Sequence, residues 1–402
     1  MRRSICLVAA VGWAAVLLPA AGQEKPNEPE QFTQSVERPN RTWDYDGTRI
    51  LGHVGEKICL WDATTGKLLR KLRAHKERLF VVRFSPDGRH ALSSSWMGPG
   101  PMVEYKSKDT RTILWDLETG SIKATFADQV AGEFSPDGQR IVTFSARPGD
   151  LVSFDAVVWD AFLERALAKV ELAKYSGPRW DKLHFSPDGR RFAHVTNGAF
   201  LLYNWSNAIL FEAADGRSIG KGAAADGGGH RYTSTGALAS LGKEKATLTD
   251  IESGRVVRSV PHDLGQPQYS IWTHDGSKAA WLHGGKDIKI CDIASGKIVT
   301  GAECGPYPVR AAIVSPDNRR LAVKWGGTDR VEPGLGIYDM GTGQEIARLK
   351  LAEWGHVVGF SPDGKTLLVG GSEFVIYDSE NGKKVRGLKL LDDVSFEHDW
   401  NQ

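Results

Sequence analysis

The sequence has few cysteines and no long run of one charge. Lysine plus arginine (51) and aspartate plus glutamate (49) nearly balance, which leaves a formal net charge of +2. Proteins that bind nucleic acid through its phosphates carry a basic patch or stripe. The balanced charge therefore argues against a nucleic-acid partner. Four cysteines in 402 residues are also too few for a disulfide scaffold.

Three cysteines remain once the apolar N-terminal stretch, which contains Cys6, is set aside: Cys59, Cys291 and Cys304. Cys304 falls well past the position opposite Cys291 in the hairpin that we expect there. A disulfide needs Cα atoms about 5.5 Å apart. We therefore expect buried, unpaired thiols.

Motifs that would supply catalysis are missing as well. The sequence has no Gly-x-Ser-x-Gly elbow, phosphate loop or dinucleotide fingerprint, and its eleven histidines form no short-spaced metal motif. We predict no catalytic residue, no metal and no cofactor. His53, His194 and His283 each lie near the end of a predicted second strand, and they are the one set that a propeller channel would bring together.

Only one long apolar run is present, at residues 5–18. It follows Met1-Arg2-Arg3 and precedes Pro19-Ala20-Ala21-Gly22, the order of a secretory signal peptide with a small-residue cleavage site. The run is short for a membrane span of about 20 residues, which favours cleavage over an uncleaved anchor. We expect residues 1–22 to be a signal peptide, the chain to be secreted or periplasmic, and the mature part to have no membrane span.

What the sequence does have is an internal repeat. A Ser-Pro-Asp-Gly turn recurs, and measured at the Asp position the intervals are 41, 50, 51, 47, 40, 42 and 46 residues. Ser, Pro and Gly at these places suit a tight turn between antiparallel strands. A period just above 40 residues is typical of a four-stranded propeller blade. The copies begin at Ser85, Ser135, Ser186 and Ser361, with degenerate ones at Asp44, Ser234, Thr273 and Ser315.

Each turn is followed by two apolar strands, the second of which commonly ends in an aromatic residue and an acid. Trp61-Asp62, Trp115-Asp116 and Trp159-Asp160 are the clearest endings, and a turn such as Thr65-Gly66 or Thr119-Gly120 comes next. The strand after that turn is more polar, as expected for an outer strand that meets water. These features predict blades with buried inner strands and an exposed rim.

The combination of Phe-Ser-Pro-Asp-Gly, Trp-Asp and Thr-Gly resembles the WD-repeat β-propeller family over roughly residues 41–388. The resemblance implies an all-β propeller of four-stranded antiparallel blades. It also implies a hydrogen-bonded set of His, Ser, Asp and Trp, which carries over only to the second blade, as His75, Ser93, Asp109 and Trp115. The other blades lack members of this set.

Eight blades fit the turns best, with seven as the alternative, because residues 199–229 allow either 202–204 or 210–212 as the third strand of blade 4. We expect an N-terminal extension at 23–40, the propeller at 41–389 and a tail at 390–402. Either residues 394–399 or residues 32–36 would supply a strand that seals the ring, since an open sheet edge invites aggregation.

Insertions stretch the repeat where the second strand joins the third, at 96–109, 146–154 and 326–336, and extra residues near blade 4 fall there or after the fourth strand. Aromatic, Met and Arg side chains are enriched at interface cores. We expect a monomeric, non-enzymatic scaffold that binds a protein or an envelope polymer through this face; an envelope hydrolase or lyase with a site at the channel mouth is the alternative. The expected binding residues are Trp96, Met97, Tyr105, Arg147, Phe154 and Arg330.

Overall fold

The computed structural model describes most of the repeat region. It covers residues 43–389 except for 55, 77–78, 96–109, 148–149, 163–164, 173–182, 187, 201–202, 222–229, 234–235, 242–243, 251–252, 254, 263, 265–268, 284, 286, 327–331, 352–354 and 372. The chain divides into two compact units, residues 1–32 and 33–402. The whole first unit lies outside the described residues, so the following description concerns the second.

The described residues form 32 strands and no helix. The strands are β1 Trp43–Tyr45, β2 Arg49–Val54, β3 Lys57–Asp62, β4 Leu68–Arg73, β5 Leu79–Phe84, β6 His90–Ser95, β7 Arg111–Asp116, β8 Ile122–Ala127, β9 Val130–Phe134, β10 Arg140–Arg147, β11 Asp150–Asp160, β12 Ala166–Glu171, β13 Leu183–Phe185, β14 Arg191–Phe200, β15 Tyr203–Glu212, β16 Ser218–Lys221, β17 His230–Tyr232, β18 Leu238–Leu241, β19 Lys245–Thr249, β20 Val256–Pro261, β21 Tyr269–Trp272, β22 Lys278–Leu282, β23 Asp287–Asp292, β24 Ile298–Glu303, β25 Val309–Val314, β26 Arg320–Trp325, β27 Gly334–Asp339, β28 Glu345–Lys350, β29 His356–Phe360, β30 Thr366–Gly370, β31 Phe374–Asp378 and β32 Lys384–Leu388.

Each successive group of four strands makes one antiparallel sheet in simple order, so β1–β4 form blade 1 and β29–β32 form blade 8. The chain is an all-β, eight-bladed propeller, which confirms the predicted fold class and decides between eight and seven blades. The ambiguous part of blade 4 is one long third strand, because β15 includes residues 203–204 of the first candidate segment and the whole of 210–212. The sequence alternatives were therefore two ends of the same element.

The turn between the first and second strands is held by a local hydrogen-bond set. In blade 2 the Ser85 hydroxyl donates to Asp87 Oδ1 at 2.5 Å and accepts from the His90 amide at 2.9 Å. The Gly88 amide donates to the Ser85 carbonyl at 2.9 Å, and Gly88 has φ +68°. Asn318 takes this left-handed position in blade 7 with φ +62°, which Asn tolerates better than most residues. The repeated motif is thus a structural turn.

A second local set closes the turn between the third and fourth strands. In blade 1, Asp62 Oδ1 accepts from the Thr64 amide at 2.9 Å, the Thr65 amide at 2.6 Å and the Thr65 hydroxyl at 2.8 Å. The Thr65 hydrogen bonds, foremost the one from its hydroxyl, lower the pKa of Asp62. The acid of the Trp-Asp ending is therefore a turn residue.

Strand order fixes two faces of the propeller. The first-to-second and third-to-fourth turns, such as 85–88 and 62–66, lie at one end of every blade, and we name this end the turn face. The second-to-third junctions and the connections between blades lie at the other end, which we name the loop face. Antiparallel neighbours reverse direction at each turn, so every blade contributes to both faces in the same way.

Burial falls from the inner strands to the rim, as the sequence predicts. Four consecutive residues of β7 are buried, whereas only two of six in the outer strand β8 are. Apolar side chains of neighbouring blades pack together between the sheets: Trp61 of blade 1 shares a cluster with Leu368 and Phe374 of blade 8. Burial of such side chains contributes about 25 cal/mol per Å² of apolar surface.

Ring closure joins blade 8 to blade 1. The Tyr45 hydroxyl lies 3.1 Å from the Thr366 hydroxyl, and the Arg386 guanidinium donates to the Thr64 carbonyl. Both sheets are complete with four strands that are contiguous in sequence. The two segments expected to seal the ring, residues 32–36 and 394–399, lie outside the described residues, so their role stays a prediction.

The three cysteines outside the N-terminal stretch are all buried. Cys291 is opposite Ile298 in the β23–β24 pair, whereas Cys304 follows the end of β24. Both are free thiols, as expected from their positions in the sequence. Burial raises the pKa of Cys291 to about 11 and that of Cys304 to about 12, so neither is a reactive thiolate near neutral pH.

Candidate functional site

The predicted binding residues belong to the loop face, but the structure describes little of them. Trp96, Met97, Tyr105 and Arg330 lie outside the described residues. Arg147 is in β10 and Phe154 is in β11, where the backbone is described and the side chains at these two positions are not. The predicted patch therefore stays a prediction at the level of side chains.

The backbone shows what the blade 3 insertion is. Ala146 pairs with Phe154 and Arg147 pairs with Asp150, with an irregularity between these two pairs. The neighbouring strands stop earlier, because the last pair of β9 is with Phe144 and the last pair of β12 is with Asp155. The insertion is thus the tip of a two-stranded hairpin that continues past the four-stranded sheet.

Blade 4 carries a longer version of the same feature. Six residue pairs, from Val195 with Ala208 to Phe200 with Tyr203, continue the β14–β15 hairpin beyond the sheet. Within the described part of the chain the outer neighbours end before them, since β13 reaches only His194 and β16 reaches only Ile209. At about 3.3 Å per residue, this ribbon extends for roughly 20 Å. We refer to residues 195–208 as the blade 4 ribbon.

The ribbon was not among the predicted site residues. From the sequence, the extra residues near blade 4 fit either the second-to-third junction or the connection after the fourth strand, and the strand pairing assigns residues 195–208 to the second-to-third junction. Phe200, Tyr203 and Trp205 were the available signal, because three aromatic residues near a predicted hairpin end are unusual in a polar connection. Blades 2, 3 and 4 thus all have their extra residues at the same junction, on neighbouring sectors of the loop face.

The polar set of blade 2 forms in the described residues as far as it can be followed. His75 Nε2 lies 2.7 Å from the Ser93 hydroxyl, and the Trp115 indole N–H donates to that hydroxyl at 2.8 Å. Asp109, the fourth member, lies outside the described residues. Burial, aided by the charges of Arg111 and His53, lowers the pKa of His75 to about 4. The hydrogen bond between His75 Nε2 and the Ser93 hydroxyl ties the loop before β5 to the blade.

Blade 3 contains an equivalent set that sequence comparison with the family missed. The Thr143 hydroxyl donates to Gln129 Oε1 at 2.7 Å and accepts from the Trp159 indole N–H at 2.8 Å. Thr143 and Ser93 hold the same register position, each two residues past the partner of their blade's tryptophan. Gln and Thr therefore replace His and Ser with the same donor and acceptor pattern. The sequence feature that pointed to this set was Trp159, whose indole N–H needs a hydrogen-bond acceptor inside the blade.

The histidines that a channel site would need are distributed over separate blades. His53 lies in β2 of blade 1, His194 in β14 of blade 4, and His283 follows β22 of blade 6. His274, at a turn position, places its Nε2 3.1 Å from the Val314 carbonyl of the next blade. Among the described residues, no three His, Cys, Asp or Glu side chains are arranged to hold a metal ion.

Comparison with known proteins agrees with this geometry. The profile of the WD40 family, described as WD domain, G-beta repeat, matches residues 66–116. The chain is an eight-bladed β-propeller, and its residues 66–116 resemble a WD repeat. The match runs from the last turn of blade 1 through β7, so the matched repeat takes its fourth strand from one blade and its first three from the next.

Curated relatives resemble parts of the propeller. Subunit I of eukaryotic translation initiation factor 3 from Eremothecium gossypii is 24% identical over 186 residues, which are 42% of this chain and 49% of that protein. A bromodomain and WD repeat-containing protein of Dictyostelium discoideum is 26% identical over 144 residues, which are 32% of this chain and 6% of that one. The aligned segments thus span half or less of these relatives.

Solved structures resemble the fold over nearly all of the propeller. The C-terminal WD40 domain of Sif2 has a TM-score of 0.58 at 13% identity and covers 84% of this chain and 96% of that chain. The dihydro-heme d1 dehydrogenase NirN has a TM-score of 0.57 at 17% identity and covers 90% and 75%. Such low identity shows a shared fold alone. WD40 propellers generally act as non-enzymatic scaffolds for protein interactions.

In the described ranges, no helix is long and apolar enough to cross a membrane.

Proposed function

We propose that this propeller is a non-enzymatic scaffold that binds a partner protein through the loop face of blades 2, 3 and 4, and that it works outside the cytoplasm. The observation that carries the proposal is the blade 4 ribbon, whose six residue pairs extend past the sheet. A propeller blade needs no such extension to fold, because blades 1, 5, 6 and 8 complete their four-stranded sheets with short second-to-third junctions.

Ribbon geometry favours a protein partner. Beyond the last pairs of β13 and β16, both strands of the ribbon have an edge with no neighbouring strand in the described sheet. Such an edge offers backbone N–H and C=O groups to an extended segment of another protein. The hairpin tip of blade 3 has the same form on a smaller scale.

Residue types at these places fit an interface. Aromatic residues and arginine dominate the binding energy of protein interfaces, and the ribbon contains Phe200, Tyr203 and Trp205. Arg147 and Phe154 in the blade 3 tip and Trp96 and Tyr105 in the blade 2 insertion belong to the same classes. Because the three blades are neighbours, their insertions define one continuous sector of the loop face.

The location outside the cytoplasm is supported by the N-terminal sequence. Residues 1–22 have the charged start, apolar centre and small-residue end of a secretory signal peptide. The partner is then a protein of the envelope or the exterior.

The proposal is tested by shortening the ribbon. A variant in which Asn-Gly replaces residues 197–206 keeps the hairpin but removes its tip, since Asn-Gly forms the two-residue turn that hairpins prefer. A second variant combines the alanine substitutions Trp96→Ala, Tyr105→Ala, Arg147→Ala and Phe154→Ala. Both should lose most of the partner captured from an envelope fraction by the mature chain, with the thermal midpoint unchanged.

Matched controls separate the sector from the rest of the surface. Tyr307→Ala removes an exposed aromatic on the same face in the connection between blades 6 and 7. Lys365→Glu with Glu380→Lys changes exposed charges on the turn face of blade 8. The controls should capture the partner normally. Full capture by the ribbon and alanine variants, with loss in a control, would assign the binding surface elsewhere.

A further inference from the structure

A pocket on the opposite end of the propeller has features that the turn motif does not require. It opens on the turn face between blades 2 and 3 and has a volume of about 60 Å³. One water needs roughly 10–15 Å³ of such space, so the pocket has room for several heavy atoms. Its apolar floor is formed by Leu114, Phe134 and Ala161, all of which are buried.

One wall of the pocket is Phe162, which breaks the repeat. It lies in the third-to-fourth turn of blade 3, two residues after the acid that ends the third strand. The other seven blades have a small or polar residue at this position: Thr64, Glu118, Ala214, Glu252, Ala294, Gly341 and Glu380. Phe162 is 51% exposed. The turn closes without a large apolar residue, so the exposed ring needs another reason.

Carboxylates form the rim. Asp87 and Asp137 line the pocket, and no lysine or arginine is found among the lining residues that the structure describes. Their side chains are 52% and 33% exposed. Each Oδ1 accepts a hydrogen bond from its own turn serine at 2.5 Å, and Asp137 Oδ2 lies 3.6 Å from Arg140 Nη1. Burial raises the pKa of Asp87, but hydrogen bonds from Ser85 and the Arg89 amide outweigh it and lower the pKa overall.

The ring of Phe162 already attracts a cation of the chain. Lys123 Nζ lies 5.9 Å from the ring centroid and 3.3 Å from His90 Nε2. The His90 ring contacts Phe162 edge-on, with centroids 6.2 Å apart. A positive charge near an aromatic face is attracted by the ring quadrupole. The pocket thus joins an apolar floor, an aromatic wall and negative charge on its rim.

We propose that this pocket binds an arginine side chain presented by a partner protein. The aliphatic stem contacts the floor at Leu114, the guanidinium plane stacks on Phe162, and its N–H groups face the Asp87 carboxylate. Arginine fits better than lysine because its planar group both stacks on aromatic rings and pairs with a carboxylate through two hydrogen bonds. The site is on the turn face, so its test is independent of the test of the blade 4 ribbon on the loop face.

A peptide displayed at high density tests this inference, because multivalent display makes a weak single-residue site measurable. The probe is biotinylated Gly-Ser-Arg-Ser-Gly, compared with peptides that have citrulline or leucine at the central position. Citrulline keeps the shape of arginine and removes its charge. The arginine peptide should bind the full chain at least 5-fold more tightly than either comparison peptide.

Single substitutions assign the binding to the pocket. Phe162→Ala and Asp87→Asn should each weaken binding of the arginine peptide at least 5-fold. The matched control is Asp363→Asn, which alters the equivalent turn of blade 8, where the Ser361 hydroxyl donates to Asp363 at 2.6 Å; it should bind normally. Phe162 is exposed, so we expect Phe162→Ala to fold. It therefore tests the pocket even if Asp87→Asn destabilises its turn. Equal binding of the citrulline or leucine peptide, or undiminished binding by Phe162→Ala, would overturn the proposal.

Discussion

Replacing His75 with glutamine should make the stability of the propeller less sensitive to acid. In blade 3 a glutamine takes the place of this histidine, since Gln129 Oε1 accepts a hydrogen bond from the Thr143 hydroxyl at 2.7 Å. His75→Gln therefore preserves an acceptor for the Ser93 hydroxyl but removes the titrating group. The substitution isolates the proton linkage from the loss of the hydrogen bond.

The magnitude follows from the pKa of the buried ring. His75 is 3% exposed, and burial, with Arg111 and His53 adding to it, lowers the pKa from 6.5 to about 4. Below about pH 6.5 the unfolded chain binds a proton that the folded chain does not, so stability falls as the pH falls and levels off below about pH 4. At 1.36 kcal/mol per pH unit, the loss is about 3 kcal/mol.

Urea denaturation between pH 7 and pH 4.5 measures the effect. Other groups titrate in both proteins and cancel in the difference, so His75→Gln should lose roughly 2 to 3 kcal/mol less than the unaltered chain over this range. Lys76→Gln, which removes a neighbouring exposed charge, serves as the control and should show the profile of the unaltered chain. Parallel profiles for His75→Gln and the unaltered chain would refute the assignment of a buried, neutral histidine.

Three further predictions concern the blade 3 network, one turn and export. Thr143→Val leaves the Trp159 indole N–H without its acceptor and should lower the free energy of unfolding by about 2 kcal/mol in urea titrations; an unchanged midpoint would argue against the network. Gly276→Ala should lower the free energy of unfolding by at least about 2 kcal/mol, because its Cβ would overlap the Thr233 side chain in the turn of the preceding blade. Gly236→Ala has open space around its Cβ and should lower it by only roughly 1 kcal/mol, the cost of the positive φ. Intact-mass measurement of exported protein should give a chain that begins near Gln23; retention of residues 1–22 would mean an anchor.

The repeat architecture is determined by short stretches of sequence. The hydrogen bonds of the Ser-Pro-Asp-Gly turn join residues no more than five apart, as between Ser85 and His90, and those of the Trp-Asp turn join Asp62 to Thr64 and Thr65. Such local sets form wherever the residues occur, and their spacing predicts the blade. The sequence alone therefore determined the all-β propeller, its blade size and the buried inner strands.

Pairing between distant residues needed the tertiary structure. Closure of the ring depends on contacts such as the one between Tyr45 and Thr366, which are 321 residues apart, and no local pattern encodes it. The blade 3 network was missed because Gln129 and Thr143 supply the same donor and acceptor as different residue types elsewhere. Only geometry reveals that equivalence.

The candidate sites divide in the same way. Repeat spacing located the insertions on one face, because the order of strands in a blade is fixed once the turns are known. The length of the blade 4 ribbon was decided by strand pairing between residues 195 and 208, where the sequence left two alternatives. The pocket beside Phe162 was decided by packing between blades 2 and 3, since its walls come from turns about 50 residues apart that meet only when neighbouring blades are placed side by side.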